Sequence, residues 1–284
     1  MEKIHETPNS QAVLVLVHGM QEYSERYQDF CDYLAQHGYS YIRYDLLGHN
    51  RDCPKDERGY FKNGWQGLVD QLHHYVLVAH DKFPGQKVIL FGHSMGTIVI
   101  RSYLQQYDDF DGIILSGAPY YNSAWKAGKT LANMIISFHG EKGISPTLGK
   151  LATGGFNKQI ENPRTDFDWL CHNPEDVDNY IKDDGCGFPF TNEGYKSLFI
   201  GMGDLGKLMD FHTEHPVPLL FMHGVDDPCA GSADQVDDTV DALKGAGYTD
   251  LKQIDYEGMR HEILFEENHG QVEEDVVNWL AEKV

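Results

Sequence analysis

The stretch KVILFGHSMGTIVIRSYLQQY (87–107) constrains the fold of this chain most strongly. An apolar run at 87–92 leads directly into the pattern Gly92-x-Ser94-x-Gly96, and helical apolar spacing follows it. The two glycines lack the β-carbons that would clash in a sharp turn. The stretch therefore predicts a buried strand, a tight turn that exposes Ser94, and a helix that packs back on the sheet.

Strands and helices alternate on both sides of this stretch. AVLVLVHG (12–19) is apolar without alternation, as a strand covered on both faces would be. Further strands are predicted at 39–45, 112–117, 217–224 and 251–257, and helices at 26–38, 64–83, 231–244 and 271–283. The β-α-β-α-β order indicates an α/β fold with a doubly wound, mostly parallel sheet.

The alternation is interrupted in the middle of the chain. From 118 to 212 the segments are uneven and rich in loop residues, with helices predicted near 124–138 and 193–209 but no clear buried strand. We interpret 118–212 as an inserted, mainly helical cap, or lid. The core is then built from 1–117 and 213–284.

Charge and cysteine content exclude several classes of protein. The chain carries 23 basic and 44 acidic residues, a net charge of −21, which disfavours nucleic-acid partners and a basic membrane-docking face. Five scattered cysteines without a CxxC pair indicate a reducing compartment. With no signal peptide and no transmembrane run in the sequence, we expect a cytoplasmic protein.

Ser94 needs partners if it is to act as a nucleophile. A serine hydroxyl requires a general base, usually histidine, which a carboxylate holds in the right tautomer. Such groups gather at the carboxyl ends of the strands in open α/β sheets. Asp226 and Asp227 directly follow the strand at 217–224, and His261 lies in the loop before the last helix. Both acids remain candidates on position alone.

Five stretches of this chain resemble the α/β-hydrolase superfamily, and within it the monoglyceride lipase and lysophospholipase group of serine hydrolases. They are VHGMQEYSERY (17–27), YIRYDLLGHNRD (41–52), FGHSMG (91–96), MHGVDDPC (222–229) and YEGMRHE (256–262). The resemblance implies an ester hydrolase that acts on monoacylglycerols or lysophospholipids and needs no cofactor. In that family the acid is the third residue after the strand-ending glycine, which selects Asp227 and leaves Asp226 as the alternative.

Acyl transfer also needs hydrogen-bond donors that face the developing oxyanion. The backbone N–H of Met95, directly after Ser94 and at a helix N-terminus, is one candidate. The family resemblance implies Met20, after His18–Gly19, as the second donor, again through the backbone. Both roles leave the side chain free to vary.

The remaining histidines do not predict a metal centre. The chain has no H-E-x-x-H pattern, and no acid cluster completes a ligand set, so we expect no metal. His18 and His93 flank the candidate site and are better placed to shape loops than to transfer protons. His49 departs from the small residue common in relatives, and the sequence offers no reason for it.

Two questions stay open at the level of sequence. The many aromatic residues of 118–212 either pack the cap on the sheet or line an acyl groove over Ser94. The same triad would also serve a peptidase, amidase or lactonase, since fold does not fix substrate. A non-catalytic binding protein of the same fold is the remaining alternative, and the oligomeric state is not predicted. The acidic chain favours a neutral glycerol head group over an anionic one.

Overall fold

The computed structural model describes residues 2–49 and 52–284. Met1, Asn50 and Arg51 lie outside the described residues. Met1 belongs to the segment 1–117 that we predict as part of the core domain. Asn50 and Arg51 belong to the stretch 41–52 that resembles the α/β-hydrolase superfamily.

The described residues form a seven-stranded sheet. Its strands are β1 (Glu2–His5), β2 (Ala12–Val17), β3 (Ser40–Tyr44), β4 (Lys87–His93), β5 (Gly112–Ser116), β6 (Leu219–Gly224) and β7 (Leu251–Tyr256). The order across the sheet is β1-β3-β2-β4-β5-β6-β7. All neighbours are parallel except β1 and β3, which run antiparallel with Glu2 opposite Tyr44. The predicted mostly parallel sheet is confirmed.

Helices connect the strands and cover the sheet. They are α1 (Gln28–Gln36), α2 (Gly64–Lys82), α3 (Met95–Tyr103), α4 (Trp125–His139), α5 (Pro146–Ala152), α6 (Pro174–Lys182), α7 (Asn192–Leu208), α8 (Ala233–Gly245) and α9 (His269–Lys283). A short 3-10 turn at Ser24–Tyr27 precedes α1. Gly38, with φ +92°, follows α1 in a positive-φ conformation that is common just after helix ends.

The core lies on both faces of the sheet, which explains the continuous apolar run of β2. Val13, Val15 and Val17 join the cluster that contains α2 and α3. Leu14 and Leu16 point to the opposite face and join the cluster of α1 and α9. Each residue of β2 is fully buried because helices cover both sides, so hydrophobic burial favours every position of the strand.

Residues between β5 and β6, all of them described, form the helices α4 to α7 and no strand. The predicted insertion is therefore mainly helical. Helix α7 begins at Asn192 because the Thr191 hydroxyl accepts the N–H of Gly194 at 3.1 Å, a standard N-cap. It packs against both α3 and α4, so the insertion rests on the helix that begins at Ser94.

One strand and two α-helices were not predicted from the sequence. Strand β1 has only four residues and half-exposed alternation, because it lies at an edge of the sheet. Helices α5 and α6 have seven and nine residues. Elements this short carry little periodic signal and depend on tertiary packing.

The turn between β4 and α3 is as close-packed as its glycines suggest. A β-carbon on Gly96 would lie 2.1 Å from the carbonyl oxygen of Val17, and one on Gly92 would lie 2.7 Å from Ile100 Cδ1. Strand β2 and helix α3 therefore approach each other at a distance that only glycine permits.

Replacing Gly96 by alanine should lower the free energy of unfolding by about 1–3 kcal/mol, the usual cost of overpacking a core. Urea denaturation measures the change. Gly270→Ala is the matched control, since a β-carbon added at Gly270 would have no atom within 4 Å. Equal stability of the two variants would contradict the close packing of the turn.

Candidate active site

Ser94 lies on the strained turn between β4 and α3. Its φ of +50° and ψ of −119° place a non-glycine residue in a region that costs about 1–3 kcal/mol. The Ser94 N–H donates to the carbonyl of Ser116 at 3.0 Å, and Thr97 Oγ1 donates to the Ser94 carbonyl at 2.7 Å. These contacts hold the turn and direct the side-chain hydroxyl away from the sheet.

His261 lies between Ser94 and Asp227 in one hydrogen-bonded row. Its Nδ1 is 2.9 Å from Asp227 Oδ2, and its Nε2 is 2.8 Å from Ser94 Oγ. A carboxylate only accepts hydrogen bonds, so Nδ1 carries the proton and Nε2 is free to accept the proton of the hydroxyl. All three side chains are buried.

The structure distinguishes the two candidate acids by the direction of their side chains. Asp227 is 2% exposed, and its Oδ1 accepts the N–H of Cys229 at 2.7 Å while Oδ2 faces His261. Asp226 instead points outward, where its carboxylate is 3.1 Å from His172 Nε2 and half exposed. The structure brings Asp227, and not Asp226, to the imidazole.

The electrostatic surroundings favour the charged form of His261. Burial by itself lowers the pKa of a histidine, but the charge and hydrogen bond of Asp227, together with the nearby glutamates, outweigh it and raise the pKa of His261 above its ordinary value. The carboxylates of Glu262 and Glu22 act in the same direction. An imidazolium formed at His261 is therefore stabilised where it stands.

Met20 and Met95 lie beside Ser94 on the wall of one cavity. Met95 is the first residue of α3, where a backbone N–H has no partner within the helix. Met20 follows Gly19, where an added β-carbon would lie 3.1 Å from the Ser94 β-carbon. Both residues thus lie beside Ser94, which is compatible with the oxyanion donors that the sequence predicts.

The cavity above Ser94 has a volume of about 150 Å³ and is mostly apolar. Helices α3 and α7 and the inserted segment supply most of its walls, with Ile98, Trp125, Trp169, Leu198, Phe199 and Met202. A chain of apolar atoms can enter it without leaving polar groups unpaired.

The structure divides the aromatic residues of the insertion between the two interpretations. Trp125, Phe156, Trp169 and Phe199 line the cavity. Phe190 is packed in the core and does not line the cavity, whereas Phe199 does both. The sequence could not separate the two groups, because the surroundings of each ring depend on how the insertion folds.

His18 and His93, which flank the candidate site, make structural contacts. His18 is fully buried, with Nδ1 on the Gly19 carbonyl at 2.8 Å and Nε2 accepting the Leu46 N–H at 2.9 Å. The His93 ring lies 4.8 Å from the His261 ring, and burial lowers the pKa of His93 to about 3. Neutral rings at both positions fit the predicted structural role.

His49 has a structural explanation that the sequence did not reveal. Its Nε2 accepts the N–H of Gln21 at 3.3 Å, and Gln21 has a φ of +59°. The His49 ring packs against Phe61 and Phe190, and burial lowers its pKa to about 3. His49 thus supports the loop that carries Met20.

Sequence reasoning also missed a group of charged and aromatic residues around His261. Arg26 donates to Glu22 and Glu262, and all three side chains are at most 10% exposed. The Trp169 ring lies 5.0 Å from the His261 ring. The three charged residues fall within the resembling stretches, so the signal was present, but no role was assigned to them. Trp169 was expected only as one of the aromatic residues that either pack the cap or line a groove, and its contact with His261 was not predicted.

Among the described residues, Asp227, Cys229 and His261 are the one group whose side chains could meet at a metal ion, with ligand atoms within 4.8 Å of one another. Both ring nitrogens of His261 already have partners in Asp227 and Ser94. The site is arranged for a hydrogen-bonded row, and the prediction of no metal stays a prediction.

No helix in the described part of the chain is long and apolar enough to cross a membrane. All five cysteines are unpaired, and four of them are buried. Burial raises the pKa of the Cys171 and Cys229 thiols, so both are held in the protonated form.

The parallel sheet, the strained serine turn and the inserted helices define the class: a serine hydrolase with the α/β-hydrolase fold. Residues 8–268 match the family model described as "Serine aminopeptidase, S33", and the chain belongs to this family. It is 27% identical over 281 residues to the monoacylglycerol lipase of Mycolicibacterium smegmatis, covering 97% of this chain and 90% of the relative. The expectation of an enzyme of the ester-hydrolase type is confirmed at the level of the family.

Solved structures agree with this fold. A thermostable carboxyl esterase from Bacillus coagulans has a TM-score of 0.88 at 20% identity, over 100% of this chain and 98% of that one. The Paleococcus ferrophilus monoacylglycerol lipase has a TM-score of 0.75 at 20% identity, over 100% and 99%. At this identity the likeness establishes the fold and leaves the substrate open.

The pKa of His261 should lie above about 6.5, the ordinary value for histidine, and a nuclear magnetic resonance titration of the imidazole measures it. Asp227→Asn removes the charge that offsets burial, so the pKa should fall below that value. Asp226→Asn is the matched control and should leave it unchanged. A larger fall in Asp226→Asn than in Asp227→Asn would contradict the geometry.

Proposed function

We propose that this chain is a carboxylic ester hydrolase whose catalytic triad is Ser94, His261 and Asp227. The observation that carries the proposal is the buried row of hydrogen bonds, 2.8 Å and 2.9 Å long, that ends at an apolar cavity. A hydroxyl, an imidazole and a carboxylate in this order form the arrangement that activates a serine nucleophile.

The reaction then proceeds in two halves. Ser94 Oγ attacks the acyl carbonyl while His261 Nε2 takes its proton, and the backbone N–H groups of Met20 and Met95 bind the oxyanion. The C–O bond to the alcohol breaks, and His261 returns the proton to the leaving oxygen. Water, activated by the same imidazole, cleaves the acyl-enzyme and releases the acid. Asp227 orients His261 and stabilises its charged form throughout.

We propose monoacylglycerols or lysophospholipids as the substrate class. The relative from Mycolicibacterium smegmatis is named as a monoacylglycerol lipase, and the cavity walls are apolar. A volume of about 150 Å³ accommodates a molecule the size of benzene, so roughly six carbon atoms of an acyl chain fit inside it. Short to medium chains should therefore be preferred.

The charge of the protein favours a neutral head group. The net charge is −21, and Glu22 and Glu262 lie close to His261. These charges repel an anionic lysolipid, whereas a monoacylglycerol has no charge and is not repelled. We therefore place monoacylglycerols before anionic lysophospholipids.

We further propose that 118–212 acts as a cap on the core of 1–117 and 213–284. In support, Trp125, Trp169 and Phe199 of this segment form part of the cavity wall over Ser94. The cytoplasmic location stays a prediction from the sequence.

Amide hydrolysis is the second candidate, because the matching family is described as a serine aminopeptidase. The triad is suited to both reactions, since each passes through a tetrahedral intermediate. Lactone hydrolysis and a non-catalytic binding role have no comparable observation in their favour.

Ser94→Ala should lower kcat/KM for p-nitrophenyl hexanoate by at least about 10³-fold, because the nucleophile is removed. Ser102→Ala is the matched control, since Ser102 is buried on the same helix and accepts the Trp65 Nε1–H instead. A panel of aminoacyl p-nitroanilides is assayed in parallel. Ester turnover that survives in Ser94→Ala would refute the triad, and faster cleavage of the anilides than of the esters would favour the peptidase.

Met202→Trp should shift the preferred acyl chain toward acetate, because the larger ring fills the cavity. We expect kcat/KM for the octanoate ester to fall by at least about tenfold relative to the acetate ester. The control is Met209→Trp, at the exposed end of the same helix. An unchanged chain preference in Met202→Trp would show that the acyl chain binds elsewhere.

A further inference from the structure

A buried arginine connects two loops of the site that are distant in sequence. Arg26 Nη1 is 2.6 Å from Glu22 Oε2 and 2.7 Å from Glu262 Oε1, and its Nη2 is 2.8 Å from Glu262 Oε2. The Arg26 side chain is 10% exposed, and the two glutamates are 2% and 5% exposed. We call these three residues the Arg26 clamp.

One end of the clamp holds the loop of Met20. Glu22 Oε1 accepts the N–H of Gly19 at 2.5 Å and the hydroxyl proton of Tyr27 at 2.8 Å. Gly19 immediately precedes Met20, whose own N–H is the proposed oxyanion donor. The orientation of the Gly19–Met20 segment therefore depends on where the Glu22 carboxylate is held.

The other end holds the loop of His261. Glu262 follows His261 directly, and its N–H donates to the carbonyl of Leu170 at 2.7 Å. The bidentate contact with Arg26 fixes the Glu262 side chain in both distance and plane. A shift of Glu262 would move the backbone of His261 with it.

Arg26 is fixed by its surroundings as well as by its charge partners. Its guanidinium lies 4.2 Å from the Phe265 ring centre and 5.0 Å from that of Tyr180. A planar guanidinium can stack on rings while it donates to three carboxylate oxygens, and a lysine ammonium cannot do both. An exposed ion pair would contribute little, whereas this one is shielded from water.

The clamp also sets the charge near the imidazole. The charged or titratable groups around His261 include Asp227 and Cys229 after β6, His93 at the end of β4, Glu262 in its own loop, and Glu22. Within residues 2–49 and 52–284, Arg26 is the cation that forms ion pairs with both glutamates. Without it, two buried carboxylates would act on His261 unopposed.

We propose that Arg26 is a positioning residue that, through Glu22 and Glu262, fixes the position of the Gly19–Met20 segment relative to the loop of His261. This inference rests on the proposed function, since it assigns a purpose to the relative placement of Met20 and His261. Arg26 does not touch the reacting atoms. It acts through the two carboxylates.

The test compares Arg26→Gln, Arg26→Lys and Glu262→Gln with the wild type in the hydrolysis of p-nitrophenyl hexanoate. A misplacement of about 1 Å costs on the order of 100-fold in rate, so kcat should fall by about that factor in Arg26→Gln. KM should change by less than about threefold, because the cavity walls are untouched. Arg26→Lys keeps the positive charge but loses the planar guanidinium that donates to both glutamates. Its kcat should therefore lie between those of the wild type and Arg26→Gln.

The pH dependence supplies a readout that a purely structural role would not move. Arg26→Gln removes a positive charge near His261. Because this loss favours the imidazolium, the acidic limb of the kcat/KM profile should move to higher pH. Glu262→Gln removes a negative charge and should move the limb to lower pH. Arg43→Gln is the matched control: Arg43 is buried and donates to Ser24 and Gln28, in the same turn and the helix that follows it, but contacts neither glutamate. It should leave the limb in place.

The rate of phosphonylation of Ser94 by a p-nitrophenyl alkylphosphonate separates this inference from the proposed substrate. That rate depends on the nucleophile, the base and the oxyanion donors, and it requires no ester turnover. A wild type that is phosphonylated but cleaves no ester would refute the substrate class, and the clamp would then be tested by phosphonylation alone.

The clamp is overturned if Arg26→Gln folds and reacts within about twofold of the wild type, with the acidic limb unmoved. It is also overturned if Arg43→Gln produces the same loss of kcat and the same shift of the limb. Should Arg26→Gln fail to fold, Arg26→Lys decides: phosphonylation at the wild-type rate would refute the role, and an intermediate rate supports it.

Discussion

The proposed function of this protein depends on the hydrogen bond between His261 Nε2 and Ser94 Oγ. It joins residues 167 positions apart, at a distance of 2.8 Å. Ser94 reaches it only because its backbone is held at φ +50°, a strain that the packing of β4, α3 and the flanking glycines sustains. His261 reaches it because β7 runs parallel to β4, so the loop after β7 lies at the same end of the strands as Ser94.

The parallel sheet explains why one edge carries the whole site. Ser94 follows β4, Met20 follows β2, Asp227 follows β6 and His261 follows β7, so each lies beyond the carboxyl end of its strand. The loops are short, and their conformations are fixed by buried polar contacts, including the Arg26 clamp and the ring of His49. The segment between β5 and β6 supplies most of the side chains that line the cavity beside Ser94.

Much of this could be predicted from sequence, because local patterns encode strand ends. The Gly92-x-Ser94-x-Gly96 turn, the parallel sheet and the helical insertion each leave a local signature of apolar runs and glycines. The choice between Asp226 and Asp227 does not, since adjacent residues share a position and differ only in the direction of the chain after Gly224.

The Arg26 clamp was missed for a different reason. Arg26 and Glu262 are 236 positions apart, and nothing local in either segment shows that they meet. The short helices α5 and α6 were missed because their formation depends on packing rather than on periodicity. The sequence thus predicts where each loop leaves the sheet, whereas the contacts between loops require the folded structure.

If the proposed triad is correct, Ser94 carries the acyl group during turnover. Rapid acid quenching of the reaction with p-nitrophenyl hexanoate, followed by mass spectrometry of the digested protein, detects that group. We expect one hexanoyl group on the peptide that contains Ser94, lost with time as water completes the cycle. A hexanoyl group on another residue, or none at all during rapid ester turnover, would contradict the assignment of Ser94 as the nucleophile.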